Sequence, residues 1–202
     1  MILIAVVGTK RSGKTKTIEA LVRGLTSKGY RVATAKHVPE QDFTIDTQGK
    51  DTWRYAQAGA GIVVLAAPRE LTTIRKRNAG YLTLEEIVQN CSGTSDMLIL
   101  EGFKSLVEKN PAVLKIVTFR TAKEALDASR RFKPIMAFSG SLALPEKKGS
   151  PIVDVLSEPE KLVSIVERYV RKAKQRAAFI HECSSPGERR HLKIDTHESL
   201  VG

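Results

Sequence analysis

The chain has 202 residues, of which 42% are hydrophobic and 27% charged, and this composition is sufficient for one domain with an α/β core. It excludes a chain that is disordered throughout, and the widely separated Cys91 and Cys183 form no C-x-x-C pair, which argues against a disulfide framework or a zinc site. The net charge of +11 is compatible with phosphate-rich ligands, acidic proteins or nucleic acid as partners. The simpler interpretation is that the excess of basic residues belongs to a solvated helix face and tail.

The N-terminus begins with the apolar run Met-Ile-Leu-Ile-Ala-Val-Val, and no basic residue precedes it. This run is shorter than a signal-peptide core with its cleavage site, and far shorter than a membrane span. It predicts a buried first strand. We therefore expect a cytoplasmic protein without membrane association.

In the first half of the chain, apolar runs alternate with helical patterns, which is typical of β-α-β units and a largely parallel sheet. The predicted elements are a strand over 3–7, a helix over 14–28, a strand over 31–36, a short helix over 51–58 and two strands over 61–66 and 70–75. Gly29 is expected to end the first helix. The closeness of the last two strands, with a turn at Pro68, predicts a hairpin and an antiparallel part of the sheet.

The second half continues the same alternation and ends in a polar segment. The predicted elements are a capped helix from 83 to about 90, strands over 97–100 and 114–119, a capped helix from 121, a last strand over 134–138 and a final helix from 157. Residues 1–177 are predicted to form a nucleotide-binding domain, and 178–202 a polar, basic tail. The fold class is α/β: a mostly parallel twisted sheet with helices on both faces and a β-hairpin extension.

The loop between the first strand and the first helix matches the pattern G-x-x-x-x-G-K-[ST] in full, in the strand-loop-helix context of a P-loop NTPase. The phosphate loop, as we call this segment, consists of Gly8, Thr9, Lys10, Arg11, Ser12, Gly13, Lys14 and Thr15. Its backbone amides and the positive end of the helix dipole are expected to bind phosphate oxygens. We expect Lys14 to bind the β and γ phosphates and to act in catalysis, and the Thr15 hydroxyl to bind Mg²⁺.

Such a site also needs a carboxylate at the end of a buried strand. Glu101 directly follows the apolar run 97–100 and is predicted to hold Mg²⁺, although a carboxylate there can also simply end the strand. Gly102 would allow the backbone to approach the γ phosphate.

The polar segment 37–50 follows the second strand, where P-loop proteins place a nucleotide-sensing loop. Asp42 and Asp46 are candidates for ordering the metal shell or polarising an attacking water, and either is alternatively just solvated. Lys50 and Arg54, at the start of the next helix, are candidates for binding a second, anionic ligand.

Taken together, these segments resemble the MobB family of molybdopterin-guanine dinucleotide biosynthesis adaptors. The resemblance extends in order from Ile4 to about Tyr169. It rests on the phosphate loop together with Lys36-His37, Asp42-Phe43, Asp46, Gly49-Lys50-Asp51-Thr52-Trp53-Arg54, Ala58-Gly59-Ala60 and Leu100-Glu101-Gly102-Phe103-Lys104.

The resemblance implies binding of GTP and Mg²⁺ with weak hydrolysis, homodimerisation, and cooperation with a MobA-like guanylyltransferase that joins GMP to molybdopterin. It also implies that Lys14 and Thr15 serve phosphate and Mg²⁺, that Glu101 serves the metal, and that the segment from Asp42 to Arg54 serves the nucleotide or a pterin phosphate. Molybdopterin is then a substrate or a carried ligand.

The sequence departs from the family pattern in three respects, and other functions stay open. Residues 178–202 have no recognised counterpart, no N-K-x-D or T-K-x-D sequence selects guanine, and Thr9 stands where dimeric relatives with a deviant phosphate loop have a signature lysine. Ser139-Gly140-Ser141 follows a strand at a suitable position for a base, but its chemistry is unspecific. The main alternative is an ATP-dependent small-molecule kinase. A nucleic-acid module is disfavoured because aromatic residues are sparse in the basic stretch, and a nickel metallochaperone because His and Cys are scattered.

Overall fold

The computed structural model describes residues 1–40, 42–77, 82–140 and 150–184, of which 176–184 are described by their backbone alone. The strands are β1 (Ile2–Gly8), β2 (Val32–Lys36), β3 (Ile62–Ala67), β4 (Glu70–Arg75), β5 (Met97–Glu101), β6 (Val113–Thr118), β7 (Ile135–Ser139) and β8 (Ile152–Val153). The helices are α1 (Lys14–Thr26), α2 (Asp51–Gln57), α3 (Leu84–Gln89), α4 (Lys104–Val107), α5 (Ala122–Arg131) and α6 (Pro159–Ser184).

Six strands form one parallel sheet in the order β2-β5-β1-β6-β7-β8, so the predicted α/β fold with a mostly parallel sheet is confirmed. Near the carboxyl ends of four neighbouring strands, one register row joins Gly8, Thr118, Ser139 and Val153. The loops that follow these strands therefore begin side by side at one edge, which is where open parallel sheets bind ligands.

The central strand β1 is buried on both faces because helices cover both. Ile4, Ala5, Val6 and Val7 are completely inaccessible to solvent, as expected for a continuous apolar run in a parallel sheet. One face of the sheet packs with residues of α3, α4 and α5 in a single cluster that includes Ala5, Val7, Leu84, Leu98, Leu100, Val107, Val117 and Ala125. The helix α1 packs against β1, β5 and β2 and buries Leu21 and Leu25.

The predicted hairpin is confirmed, but it does not join the main sheet. β3 and β4 pair antiparallel as a separate two-stranded sheet, from Ile62 opposite Arg75 to Ala67 opposite Glu70. In β3 only Val63 is buried, whereas Ile62 and Val64 are 52% and 57% exposed. The expectation of an antiparallel part of the main sheet was therefore wrong, because a hairpin pattern fixes local pairing and not the sheet to which the pair belongs.

The C-terminal third differs from the sequence prediction at two points. The strand β8 follows β7, so β7 is not the last strand; two residues are too few to show a period. The helix α6 continues to Ser184, through the predicted boundary at residue 177, because this stretch contains no helix-breaking residue. Residues 1–163 form one compact unit, and a second begins at Ser164 within α6. Ser141 and residues 185–202 of the predicted tail lie outside the described residues.

Within the described part of the chain, no helix combines the length and the apolar character that a membrane crossing requires.

Candidate functional site

The phosphate loop connects the buried strand β1 to α1, as predicted, and its backbone adopts two unusual conformations. Gly13 is the N-cap of α1 with φ of 93°, a left-handed conformation in which a side chain would be strained. Arg11 also has a positive φ, 63°, which is uncommon for a residue with a Cβ and is typical of ligand-binding loops. A loop of this kind before a helix N-terminus is the setting in which backbone amides bind anions.

Buried hydroxyl groups hold the loop against the neighbouring strands. The Ser12 hydroxyl donates to the Thr9 carbonyl at 2.8 Å and lies 2.6 Å from the Thr118 hydroxyl at the end of β6. The Thr17 hydroxyl lies 3.1 Å from that of Ser139 at the end of β7. All the side chains in these two pairs are buried, so their pairing fixes the loop relative to the sheet edge.

Lys14 lies within the loop and points its amine back at it. Its Nζ donates a 2.6 Å hydrogen bond to the Thr9 carbonyl. Burial is the largest cause of a lowered pKa at Lys14; the Glu101 carboxylate opposes this shift, and Lys104 and Lys36 add to it. The ammonium is thus held where burial disfavours its charge, a cost that an anionic ligand beside it would offset.

Glu101 ends β5 beside the phosphate loop because β5 is the neighbour of β1, with Glu101 in register with Val6. On its other side Glu101 is in register with Lys36, whose Nζ lies 3.9 Å from the carboxylate. The Glu101 side chain is only 16% exposed, so its charge is partly shielded from bulk water. The structure thus brings this predicted metal ligand to the same edge as Lys14 and Thr15.

A cavity of about 370 Å³ opens at this point. It is lined by Glu101 and by Lys10, Arg11, Gly13, Lys14, Thr15 and Lys16. Four cationic side chains and one carboxylate surround it, which is the charge balance of a site for a polyanion with a divalent cation. The predicted residues Lys10, Arg11, Gly13, Lys14, Thr15 and Glu101 are therefore assembled around one space.

A second cavity of about 250 Å³ lies on the other side of the loop, toward β7 and β8. It shares Arg11, Gly13 and Lys16 with the first cavity, so the two adjoin across the loop. Its other lining residues are Ser12 of the loop, Thr17 of α1 and residues at or just after the ends of β6, β7 and β8, among them Arg120, Ser139, Gly140 and Asp154. The Ser139-Gly140 position indicated by the sequence thus lies at this second cavity.

Three further residues of the prediction, Gly8, Thr9 and Gly102, line neither cavity. A Cβ added to Gly8 would collide with Thr118 and come within 2.5 Å of the Ser12 hydroxyl, so the loop can approach β6 this closely only with glycine here. The Gly102 amide donates to the Val6 carbonyl at 3.2 Å and continues the contact between β5 and β1. The Thr9 side chain makes a contact with α5 and does not line either cavity.

The predicted residues of the loop and helix after β2 are not brought to either cavity. Asp42 is exposed, and Asp46 uses Oδ1 to accept hydrogen bonds from the Thr47 amide at 2.9 Å and the Thr52 hydroxyl at 2.7 Å. Asp46 Oδ2 is buried without a hydrogen-bond partner in the described structure. Lys50 is exposed, and Arg54 forms an ion pair of 3.8 Å with Asp51. Asp42, Asp46, Lys50 and Arg54 line neither of the two cavities. Through its hydrogen bond with Thr52, Asp46 instead holds the start of α2.

Sequence reasoning missed Thr118, Glu124 and Asp154. Thr118 is a buried polar residue at the end of β6, in which every other residue except Lys115 is apolar. A polar residue that ends an apolar run is visible in the sequence. Glu124 accepts a local hydrogen bond from Arg120, but its hydrogen bond from Thr9 spans 115 residues and is created only by the fold. Asp154 follows a strand of two residues that has no readable pattern.

Within the described residues, no group of three or more His, Cys, Asp or Glu side chains is arranged to hold a metal ion. A metal at this site would therefore need ligand oxygens from a bound phosphate in addition to Thr15 and Glu101.

A sequence model of the MobB family, described as molybdopterin guanine dinucleotide synthesis protein B, matches residues 3–139. The chain is 33% identical over 113 residues to the molybdopterin-guanine dinucleotide biosynthesis adapter protein of Haemophilus influenzae, which covers 55% of this chain and 61% of that relative. It is 36% identical over 110 residues to the putative adapter protein of the same name in Methanocaldococcus jannaschii, covering 54% of this chain and 44% of that relative. The chain thus spans less than two thirds of the length of either curated relative.

Solved structures agree in fold. The crystal structure of Bacillus subtilis MobB superimposes with a TM-score of 0.62 and 26% identity, covering 82% of this chain and 98% of that one. The MobB homolog from Bacillus stearothermophilus gives a TM-score of 0.63 at 21% identity, covering 85% and 99%, which supports the fold alone. Since the family match covers more than half of the 202 residues, and includes the phosphate loop and Glu101, the chain belongs to the MobB family.

Proposed function

We propose that this protein binds GTP with Mg²⁺ at the phosphate loop, hydrolyses it weakly, and acts as an adaptor in the formation of molybdopterin guanine dinucleotide. The observation that carries the proposal is the cavity of about 370 Å³ in which Lys10, Arg11, Lys14 and Lys16 surround the N-terminus of α1. A triphosphate supplies the negative charge that this arrangement lacks. The adaptor role is supported by membership of the MobB family and by the names of the relatives.

The residues present fit a nucleotide and its metal. Lys14 would exchange the Thr9 carbonyl for phosphate oxygens, at the small cost of one hydrogen bond to a neutral group. The exposed Thr15 hydroxyl and the Glu101 carboxylate line the same cavity, and hard oxygen ligands are those that Mg²⁺ prefers. When bound, Mg²⁺ would neutralise charge on the phosphates.

The residues that line the cavity support the proposal of weak hydrolysis. Glu101 is the only carboxylate that lines it among the described residues, and its place beside Thr15 suits the metal. Neither Asp42 nor Asp46 lines the cavity, so no second carboxylate is placed to orient an attacking water in this conformation. The exposed Lys50 and Arg54 on α2 stay candidates for an anionic second ligand such as the molybdopterin phosphate.

The β3–β4 hairpin supports the proposed homodimer. Although β3 contacts α2, the side chains Ile62, Val64, Leu65 and Leu71 are 52%, 57%, 45% and 72% exposed. Covering these side chains by a second copy of the chain would remove apolar surface from water. The MobA-like guanylyltransferase is the proposed partner that uses the bound GTP.

Calorimetric titration of the full-length protein with GTP and with ATP, each with and without Mg²⁺, tests the proposal. We expect Mg²⁺-dependent binding of GTP, and we expect Lys14→Ala to lose it while circular dichroism shows an unchanged fold. Lys109→Ala removes an exposed lysine outside both cavities and is the matched control. Equal GTP affinity in Lys14→Ala and the wild type would contradict the proposal. Binding of ATP alone, with turnover at about 1–100 s⁻¹, would favour a kinase instead.

A further inference from the structure

The loops that surround the smaller cavity offer one carboxylate. The sheet register brings the ends of β1, β6, β7 and β8 to one row, and Asp154 is the residue directly after β8. It is the only acidic side chain that lines the cavity of about 250 Å³ among the described residues. The volume is below the range of about 300–1,000 Å³ typical of drug-sized ligands, and so suits a fragment such as a nucleobase.

Asp154 is held in a way that leaves acceptor capacity on both carboxylate oxygens, because each oxygen can accept two hydrogen bonds. Its Oδ1 accepts the Leu156 amide at 3.0 Å, and its carbonyl accepts the Glu158 amide at 2.8 Å, which fixes the residue at the end of β8. No described residue donates a hydrogen bond to Oδ2. Beside it, the apolar side chain of Leu156 lines the cavity while remaining 67% exposed. A planar base would cover this side chain and meet the carboxylate at its edge.

The other nearby carboxylate is already engaged. Glu124 accepts hydrogen bonds from the Arg120 amide at 2.8 Å, the Arg120 guanidinium at 2.7 Å and the Thr9 hydroxyl at 3.1 Å. The segment after β6, where the sequence lacks an N-K-x-D motif, therefore has no free carboxylate for a base. Asp154 fills this gap from a different strand.

We propose that Asp154 selects guanine by accepting hydrogen bonds from its N1–H and 2-amino groups, an inference that rests on the proposed binding of GTP at the phosphate loop. A carboxylate is an acceptor only, so it matches the two adjacent donors of guanine and faces an acceptor at N1 of adenine. The phosphates lie in the larger cavity and the base in the smaller one, with Arg11, Gly13 and Lys16 between them. Asp154 is thus a specificity-determining residue and not part of the phosphate machinery.

The test combines a change in the protein with a change in the ligand. The full-length wild type, Asp154→Asn and the control Glu158→Gln are titrated with Mg²⁺ and GTP, ITP, XTP or ATP. ITP lacks the 2-amino group, and XTP replaces it with an acceptor oxygen that an asparagine amide can meet. We expect the wild type to prefer GTP to ITP, and Asp154→Asn to bind GTP about 10- to 100-fold more weakly while gaining affinity for XTP. The control should retain the wild-type order.

The outcomes separate this inference from the proposed function. If the wild type binds GTP but Asp154→Asn keeps the same preference for GTP over ITP and XTP, guanine selection by Asp154 is overturned while the proposed function stands. An equal loss of all four nucleotides in Asp154→Asn also overturns it, because that pattern belongs to a residue that only supports the loop. If the wild type binds no nucleotide, both proposals fail. The comparison of GTP with ITP on the wild type needs no variant, so misfolding of Asp154→Asn cannot obscure it.

Discussion

The Thr9 hydroxyl, in the phosphate loop, donates a 3.1 Å hydrogen bond to Oε1 of Glu124 on α5. The same carboxylate accepts the Arg120 amide at 2.8 Å and the Arg120 guanidinium at 2.7 Å, and these bonds lower the pKa of Glu124 to about 2. One side chain therefore connects the phosphate loop to Arg120, which lines the smaller cavity.

We expect Glu124→Gln to destabilise the protein at neutral pH by about 1 kcal/mol, because the amide loses the charge-assisted bonds, which solvent partly screens. Since the folded pKa lies below the unfolded value of 4.5, this stabilisation is present above about pH 4.5 and is lost as the pH falls toward 2. Urea denaturation at several pH values should show that the difference in the free energy of unfolding between the wild type and the variant shrinks as the pH falls from about 4.5 toward 2. Glu158→Gln, which removes an exposed carboxylate, is the control; an unchanged difference down to pH 2 would contradict the assignment.

Glu101→Gln should weaken the affinity for GTP more with Mg²⁺ than without it. The amide keeps the shape of the side chain but lacks the negative charge that attracts Mg²⁺, so affinity in the presence of Mg²⁺ falls. Without Mg²⁺, the loss of that charge removes a repulsion between residue 101 and the triphosphate, so affinity falls less. Isothermal titration with Mg²⁺ and with EDTA measures both affinities. Glu108→Gln, which breaks an ion pair with Arg131 away from both cavities, controls for the loss of charge. Equal losses in the two conditions would assign Glu101 a purely structural role.

Gly8→Ala should destabilise the protein by about 1–3 kcal/mol and weaken nucleotide binding, because the added methyl group would push against Thr118 and Ser12. Gly61→Ala is a matched control, since a Cβ there would meet nothing within 4 Å. Thermal denaturation and GTP titration of both variants check the prediction. Two variants of equal stability would show that the loop relaxes without cost.

Lys115 is completely buried in the first half of β6, and its Nζ donates 2.6 Å hydrogen bonds to the carbonyls of Asn110 and Lys133. Burial lowers the pKa of this amine to about 8. We expect Lys115→Met to destabilise the protein by about 1–3 kcal/mol at pH 7, because both carbonyls lose their donor. Chemical denaturation gives the free energy of unfolding, with Lys109→Met as the exposed control.

The same lysine predicts a dependence on pH. Between about pH 8 and the ordinary value of 10.5, the unfolded state binds the proton that the folded state has released, so stability rises with pH across that interval. The wild type should therefore gain stability relative to Lys115→Met as the pH rises through this window. A constant difference between pH 7 and 10 would show that the amine stays charged in the folded protein.

Local sequence patterns were sufficient to predict the elements that are stabilised by local interactions. The phosphate loop, its strand and its helix, the capping box of Thr83 with Glu86, and the hairpin from Ile62 to Arg75 follow from turn chemistry, capping and periodicity within a few residues. Glu101 was also predictable, because a polar residue after a buried parallel strand lies at the ligand-binding edge wherever that strand falls in the sheet.

Tertiary structure decided which of the polar residues meet. Asp42 and Asp46 have suitable chemistry, yet the fold leaves Asp42 exposed and uses Asp46 to hold α2. Asp154 carries no local signal, and the local signal of Glu124 is only that of a helix cap with Thr121. Both reach the phosphate loop only through the order of β1, β6, β7 and β8. The sequence by itself thus determined the phosphate loop and the parallel sheet, since short-range hydrogen bonding and burial encode them. The groups around the second cavity depend on strand order and register, and on hydrogen bonds between residues more than 100 positions apart, such as Ser12 with Thr118.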